Sequence, residues 1–353
     1  MTRPPCPRGP QGGNRGLPRV HGSPPWVVSI LVLVATLLML YGCDSPLTGP
    51  NCPPSCNGVK AVGADLSGMQ LAGVNLSGAQ LSESNLHQAI LSQAILVASD
   101  LRTADLGDAD LSQADLSGAN LAGANLTGAG LREARLSGAD LSGATLTRVA
   151  LTRVSLDAAV LTRARLIGTI LRYADLTGAD MDYSILTGAD LHGARLSGAN
   201  LNSAILRGAN LRQALLNGCL LRDASVASAD LTGADLSGAD LRDADLSGAI
   251  LNQTNLSRAH LERADFSGAS LKGADLSDSY MAGTILNGAY LEGANLRGVQ
   301  LVSFDQTDQS DLMAEAHLGG TTYDAQTVWP QGFAPPPSAS DGKQSDTQSP
   351  AGR

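Results

Sequence analysis

Residues 111–130 read LSQADLSGANLAGANLTGAG, four units of five residues, each opened by Leu and carrying Ala two residues before the next opening. This phase holds from Leu66 to Leu301: 44 of the 48 positions are Leu, and the others are Met181, Val226, Phe266 and Met281. Two residues earlier, Ala fills 35 of the 48 positions, and most of the rest are small, such as Ser84, Val149, Thr169 and Cys219. A period this short fixes the architecture before any other feature is considered. An α-helix turns about 100° per residue, so a five-residue repeat would smear the leucines around its axis. A flat strand alternates faces, so an odd repeat would throw successive leucines to opposite sides. A chain that turns a corner every five residues builds one apolar interior. Leu and the Ala two before it point inward, and the other three residues face solvent. Gly after the outward Ser or Thr suits a corner of positive φ. Repeats without it, such as those from Glu83 to Gln113, point to a second, glycine-free turn type.

Charge sets the number of sides. Stacked coils place equivalent residues about 4.8 Å apart, where like charges repel. Just before Leu, Asp follows Asp seven times at a lag of five residues, but only once, Asp245 to Asp265, at a lag of twenty. Asp65, Asn85, Asp105 and Asn125 alternate at that lag, as do Asp235, Asn255, Asp275 and Asn295. Asp115 and Asp175 are followed there by Arg135 and Arg195. Avoidance at twenty predicts four sides to each coil.

The unit A-[D/N]-L-[S/T/R]-G resembles the pentapeptide-repeat family over residues 61–301. That resemblance implies an all-β protein, a right-handed quadrilateral β-helix of about 12 coils, roughly 58 Å long at the usual ladder spacing. Some members of that family resemble duplex DNA in width and charge and bind topoisomerases. Solenoids of this kind need covered ends.

The flanks read differently. Residues 1–25 hold Arg3, Arg8, Arg15 and Arg19, and residues 26–42 form an apolar stretch ending in Leu40-Tyr41-Gly42-Cys43. Sixteen apolar residues as helix would span about 24 Å, short of a bilayer core and suited to a signal segment. The ending resembles a bacterial lipobox, which implies lipidation of Cys43 and, from Asp44, retention at the inner membrane on its periplasmic face. An uncleaved anchor is the alternative, and both put the rod on the exported side. Residues 43–60 form a linker in which Cys52 and Cys56 could close a small disulfide loop. Cys219, in an inward slot, is expected to be inert. Beyond Leu301 the phase fails. Ser310 to Gly320 predicts a short helix, and Leu318, Tyr323 and Val328 resume five-residue spacing in a new phase. Residues 302–333 are expected to cap the rod, with Trp329 and Phe333 over its last layer, and 334–353 to be a solvated tail.

No catalytic constellation is legible. His21, His87, His192, His260 and His317 do not cluster in sequence, and a lattice of similar carboxylates lacks the unequal pairs of acid–base catalysis. No enzyme activity, cofactor, metal, small-molecule substrate or nucleic acid is expected. The surface is what remains. Asp100, Asp105, Asp110 and Asp115 should ring one coil, and Asp230, Asp235, Asp240 and Asp245 another. Between them, residues 131–172 hold seven Arg. At twenty-residue spacing, Arg132, Arg172, His192 and Arg212 should form a column with Arg153 beside it, a candidate docking surface for an envelope protein or an anionic polymer. The sequence thus predicts a membrane-anchored scaffold in the cell envelope. A DNA-mimicking topoisomerase ligand and a passive envelope spacer are the alternatives.

Overall fold

The computed structural model describes residues 56–300, 321–330, 334–335 and 337–338. From 56 to 300 the chain repeats one conformation: a bridged outward residue, an inward residue, a two-residue turn and a second inward residue. The outward residues form parallel bridges with the residue twenty positions on, from Lys60↔Gln80 to Tyr280↔Gln300. Four five-residue sides therefore make each coil, as the spacing of like charges predicts.

One unit shows why this conformation is stable. In Asp115 to Ala119, all five backbone N–H groups have acceptors. Leu116 donates to the Arg135 carbonyl (2.7 Å), Gly118 to Ser137 (3.0 Å) and Asp115 to Ala94 (2.9 Å), all in neighbouring coils. Ala119 donates to Leu116 across the corner (2.9 Å). Ser117 donates to the Asp115 side-chain oxygen (3.1 Å). A short segment with no internal helix or ladder would otherwise strand these donors.

The interior is a continuous column. The repeat-phase leucines from Leu76 to Leu296 and the alanines two before them are buried, most of them completely. Phe266, Met181, Val226 and Met281 substitute for Leu without leaving the column. Most inward hydroxyls find carbonyls: Ser84 donates to Leu81 (2.7 Å), and Thr169 to Leu146 in an adjacent coil (2.7 Å), whereas Ser184 and Ser279 have no partner among the described residues. The repeat conformation begins before the leucines do. Cys56 and Ala61 are buried in the leucine phase, and Val59 is buried in the alanine phase.

The glycine-free repeats do not use a second turn type. Every corner has its third residue at positive φ, and Glu83, Gln88, Gln93 and Gln113 adopt φ of 57–60° just as Gly118 adopts 63°. A positive φ at that position alone, with the corner hydrogen bond, is the type II pattern. The cost to a non-glycine residue is roughly 1 kcal/mol. It is borne because the same N–H donates to the next coil, as Gln113 does to the Arg132 carbonyl (2.9 Å). Glycine marks where the strain is relieved, not where the turn differs.

At the far end, residues 321–330 add two more sides. Thr322 bridges Tyr290 and Val328 bridges Asn295. Their phase corrects the sequence reading, because Val328 is exposed and the inward positions belong to Tyr323 and Trp329, six residues apart. The extra residue is absorbed at Asp324, whose carboxylate accepts from the N–H groups of Gln326, Thr327 and Gly293. Tyr323 and Trp329 pack edge to face (centroids 5.1 Å apart) against the last leucines. Trp329 is thus partly buried against the apolar column. Phe333 and the helix expected over 310–320 lie outside the described residues, among which no helix occurs.

Leu176 is completely buried in mid-column. Leu176→Asp places a carboxylate among aliphatic neighbours, so a loss of about 3 kcal/mol or more is expected. Thermal unfolding followed by circular dichroism measures it, and a wild-type midpoint would contradict the inward assignment.

Candidate interaction surface

The residue before Leu works first within its own corner. Its side-chain oxygen accepts the N–H two residues on, as in Asn75 to Ser77 (3.0 Å) and Asp235 to Ser237 (3.0 Å). A Ser or Thr at that second position often adds its hydroxyl to the same oxygen, as Thr232 does on Asp230 (2.6 Å). This Asx arrangement explains the preference for Asp and Asn there. Between coils, Asn85 donates its amide to Asp65 (3.0 Å), Asn125 to Asp105 (2.9 Å) and Asn255 to Asp235 (3.0 Å). The alternation at twenty residues is thus a ladder of charge-assisted hydrogen bonds. Arg135 and Arg195 stand 3.8 Å from Asp115 and Asp175 respectively, answering the same repulsion with an opposite charge.

Several carboxyls are held below their ordinary range by these contacts. The Arg263 guanidinium does so for Asp243, the Arg102 side chain for Asp100, and the Ser137 and Ser155 hydroxyls for Asp157. Asp240, only 7% exposed, lies between Arg222 and Arg242. The two acidic coils are therefore partly neutralised lattices rather than bare rings of charge.

The four arginines and His192 singled out from sequence lie along one corner of the rod. Arg153 donates its N–H to the Arg172 carbonyl (3.0 Å), and Gly193 to that of Arg212 (2.9 Å). These bonds fix the register of neighbouring coils, with Arg132, Arg172, His192 and Arg212 in one column and Arg153 in the next. Their charges are not equivalent. Arg172 lies 3.8 Å from Asp190 and Arg212 3.2 Å from Asp230, whereas Arg132 and Arg153 have no carboxylate within 4.0 Å among the described residues. Sequence reasoning missed Tyr173, half-exposed, which meets the His192 ring edge-on at 5.5 Å. It lies over Gly193, where a Cβ would stand 2.6 Å from its ring. The signal was present as an aromatic twenty residues before a glycine, legible only once coils are known to stack.

Cys219 is buried, and burial pushes its thiol up, leaving it unreactive. Among the described residues no three His, Cys, Asp or Glu side chains are grouped to hold a metal ion. Cys56 is buried at the first inward position, but Cys52 lies outside the described residues, as do Cys43 and the apolar stretch 26–42.

The pentapeptide-repeat family model matches residues 55–96 and, in overlapping stretches, 109–303. The chain belongs to that family, and its four-sided coil is the family's right-handed quadrilateral β-helix. No curated protein matches the sequence. Among solved structures it is similar to HetL of the cyanobacterium Nostoc sp. strain PCC 7120, a pentapeptide-repeat protein involved in heterocyst differentiation regulation. That match is 31% identical, covers 78% of this chain and 94% of HetL, and has a TM-score of 0.38. Rfr23 of the cyanobacterium Cyanothece 51142 is 36% identical over 33% of this chain and 63% of its own, with a TM-score of 0.20. QnrB1, a plasmid-mediated fluoroquinolone resistance protein, is 19% identical over 53% and 92%, with a TM-score of 0.24.

The lowered carboxyls give a signed expectation. A carboxyl depressed in the folded state stabilises the fold above its unfolded value, near 3.8, and that contribution is lost as pH falls through the lowered folded value. The melting temperature should therefore hold from neutral pH to about 5 and fall progressively below about 4. Asp157→Asn, which removes the charge the Ser137 and Ser155 hydroxyls hold, should lower the neutral-pH midpoint and flatten the acid limb. An unchanged acid limb in that variant would show these hydrogen bonds carry no linkage.

Proposed function

We propose that this pentapeptide-repeat protein is a non-enzymatic scaffold of the bacterial cell envelope, an exported rod held to the membrane at its N-terminus that docks an envelope protein. The observation that carries the reading is the cationic corner. Among the described residues, Arg132 and Arg153 have no ion-pair partner; they project from a backbone lattice that fixes their spacing, next to exposed Tyr173 and between two acidic bands. Rigid, alternating charge of this kind favours partner selection and encounter rate over chemistry. A DNA-like surface would need an unbroken acidic face, and the seven arginines of residues 131–172 interrupt it.

The address rests on sequence. The arginine-bearing first 25 residues, the apolar stretch 26–42 and Cys43 support a lipoprotein signal, with an uncleaved anchor at 26–41 as the other form of the same tether. Asp44 supports the inner membrane, periplasmic face. Cells grown with labelled palmitate and a globomycin-type inhibitor of signal processing should accumulate a full-length precursor, and Cys43→Ser should abolish the label. Recovery of unprocessed, unlabelled wild-type chain in the cytosolic fraction would end the envelope reading. For docking, photo-crosslinkers at Thr152 should yield adducts with an envelope protein. The combined Arg153→Ser, Arg172→Ser and Arg212→Ser variant should lose them by roughly tenfold or more, the scale of removing interface charges. Equal adduct yields would remove the docking role from this corner.

A further inference from the structure

A second wall of the rod carries Thr145, Arg165, Ile185, Ile205, Ser225 and Asp245 as successive outward rungs, each bridged to the next. Its character changes along its length. One half is cationic, with Arg165 and, at the adjoining corner, Arg163. The middle rungs are apolar, with Ile205 37% and Tyr183 55% exposed beside Ile185, flanked at the corners by Asp182 and the exposed Arg207. The other half is anionic, with Asp245 and, at the same corner as Arg163, Asp223. None of Arg163, Arg165, Asp223 and Asp245 has an ion-pair partner within 4.0 Å among the described residues. Arg163 is instead held over the Tyr183 ring, 5.8 Å from its centroid. Elsewhere on the rod, Arg102, Arg135, Arg195 and Arg263 answer carboxylates of their own coil or the next, whereas Arg132, Arg148, Arg153, Arg207, Arg258 and Arg297 have no carboxylate within 4.0 Å among the described residues.

We infer that the protein forms an antiparallel homodimer through this wall. Consider a two-fold axis lying in the plane of the wall, across the rod, midway between the rungs of Ile185 and Ile205. It reverses the direction of the second rod but keeps each column of residues over itself. Ile185 then faces Ile205 of the second copy, and Ile167, at the other corner, faces Ala227. Arg163 faces Asp223. Arg165 faces Ser225, one rung from Asp245, within reach of a long side chain. Every such contact occurs twice, and no two like charges oppose each other between Thr145 and Asp245. A parallel pairing about an axis along the rod would instead set Arg165 on Arg165. Moving the antiparallel axis to Ile185 itself would bring Arg165 onto Ile205 and strand its charge. The gradient from cationic through apolar to anionic is thus complementary to its own reverse; an axis through Ile205 would also set Arg165 on Asp245 and Arg163 on Asp243, but it would set Arg207 on Arg207 of the second copy.

The paired rungs from Thr145 to Asp245 extend about 24 Å at the usual ladder spacing. A contact of that length on one wall is small, so the charge pairs rather than buried area must supply affinity and register.

Sedimentation velocity on the full chain in mild detergent tests the pairing. The wild type should be dimeric at micromolar concentration. Arg163→Glu and Asp223→Arg should each raise the dimer Kd about tenfold or more, with melting curves showing both variants folded. A 1:1 mixture of the two variants should recover the wild-type Kd, because each mixed dimer regains one native and one reversed ion pair. Self-association that survives both single reversals, or mixing that restores nothing, would overturn the proposal. A monomeric wild type would overturn it as well. If that monomer bound phosphatidylglycerol vesicles and Arg163→Glu abolished the binding, the wall would belong to a membrane surface instead.

Discussion

Hydrogen bonds between residues about twenty apart hold this molecule together. In each five-residue side, three backbone N–H groups donate to the neighbouring coils and one closes its own corner. The leucine column supplies the hydrophobic stabilisation, but aliphatic side chains alone do not specify a register. The inter-coil bonds do, because a slip of one residue would turn every Leu outward and leave the corner donors without acceptors. Each coil is therefore the template for the next, with stability built from nearest-neighbour contacts. The left-handed corners follow from this. A non-glycine residue at positive φ would be a liability in an isolated turn, yet it is tolerated at 23 corners, and at 22 of them its N–H is committed to the adjacent coil.

The same constraint frees the surface. With backbone and interior accounting for nearly all the bonding, the residue before Leu and the two at the corner need only avoid clashes and like charges. Asp and Asn do more, closing the corner through the Asx hydrogen bond while forming a ladder with the coil above. Where an isoleucine or tyrosine takes that place, as at Ile170, Ile205, Ile250 and Tyr290, the corner loses its side-chain acceptor and the rod gains an exposed apolar spot. Such substitutions sacrifice local bonding for surface character. On a protein of this family, surface character is where interaction resides.

Charge on this lattice is organised by coil and by wall at once. Reading by coil finds acidic rings, but reading by wall shows Asp240 clasped by two arginines and Asp100 by Arg102, so the rings are muted. Among the charges left without an ion pair are Arg132 and Arg153 at one corner, and Arg163 and Arg165 against Asp223 and Asp245 on a wall. A rigid rod offers these features at fixed spacings, which suits the scaffold role proposed for it.

Much of this was present in the amino-acid sequence. The leucine phase from Leu66 to Leu301 determined the corner every five residues, and the avoidance of stacked Asp determined the twenty-residue coil, because both express short-range physics repeated dozens of times. The stacking of Arg132, Arg172, His192 and Arg212 followed from that number alone. What the tertiary structure decided lay where the repeat is silent. Glycine-free corners keep the same turn because inter-coil bonds override local preference. Tyr323 and Trp329 take the leucine slots at a spacing of six because Asp324 absorbs a residue. Which arginines stay unpaired depends on side-chain reach between coils, as with Arg172 to Asp190 and Arg212 to Asp230. A periodic sequence states its lattice plainly, whereas the partners each charge finds on that lattice are set by distances in three dimensions.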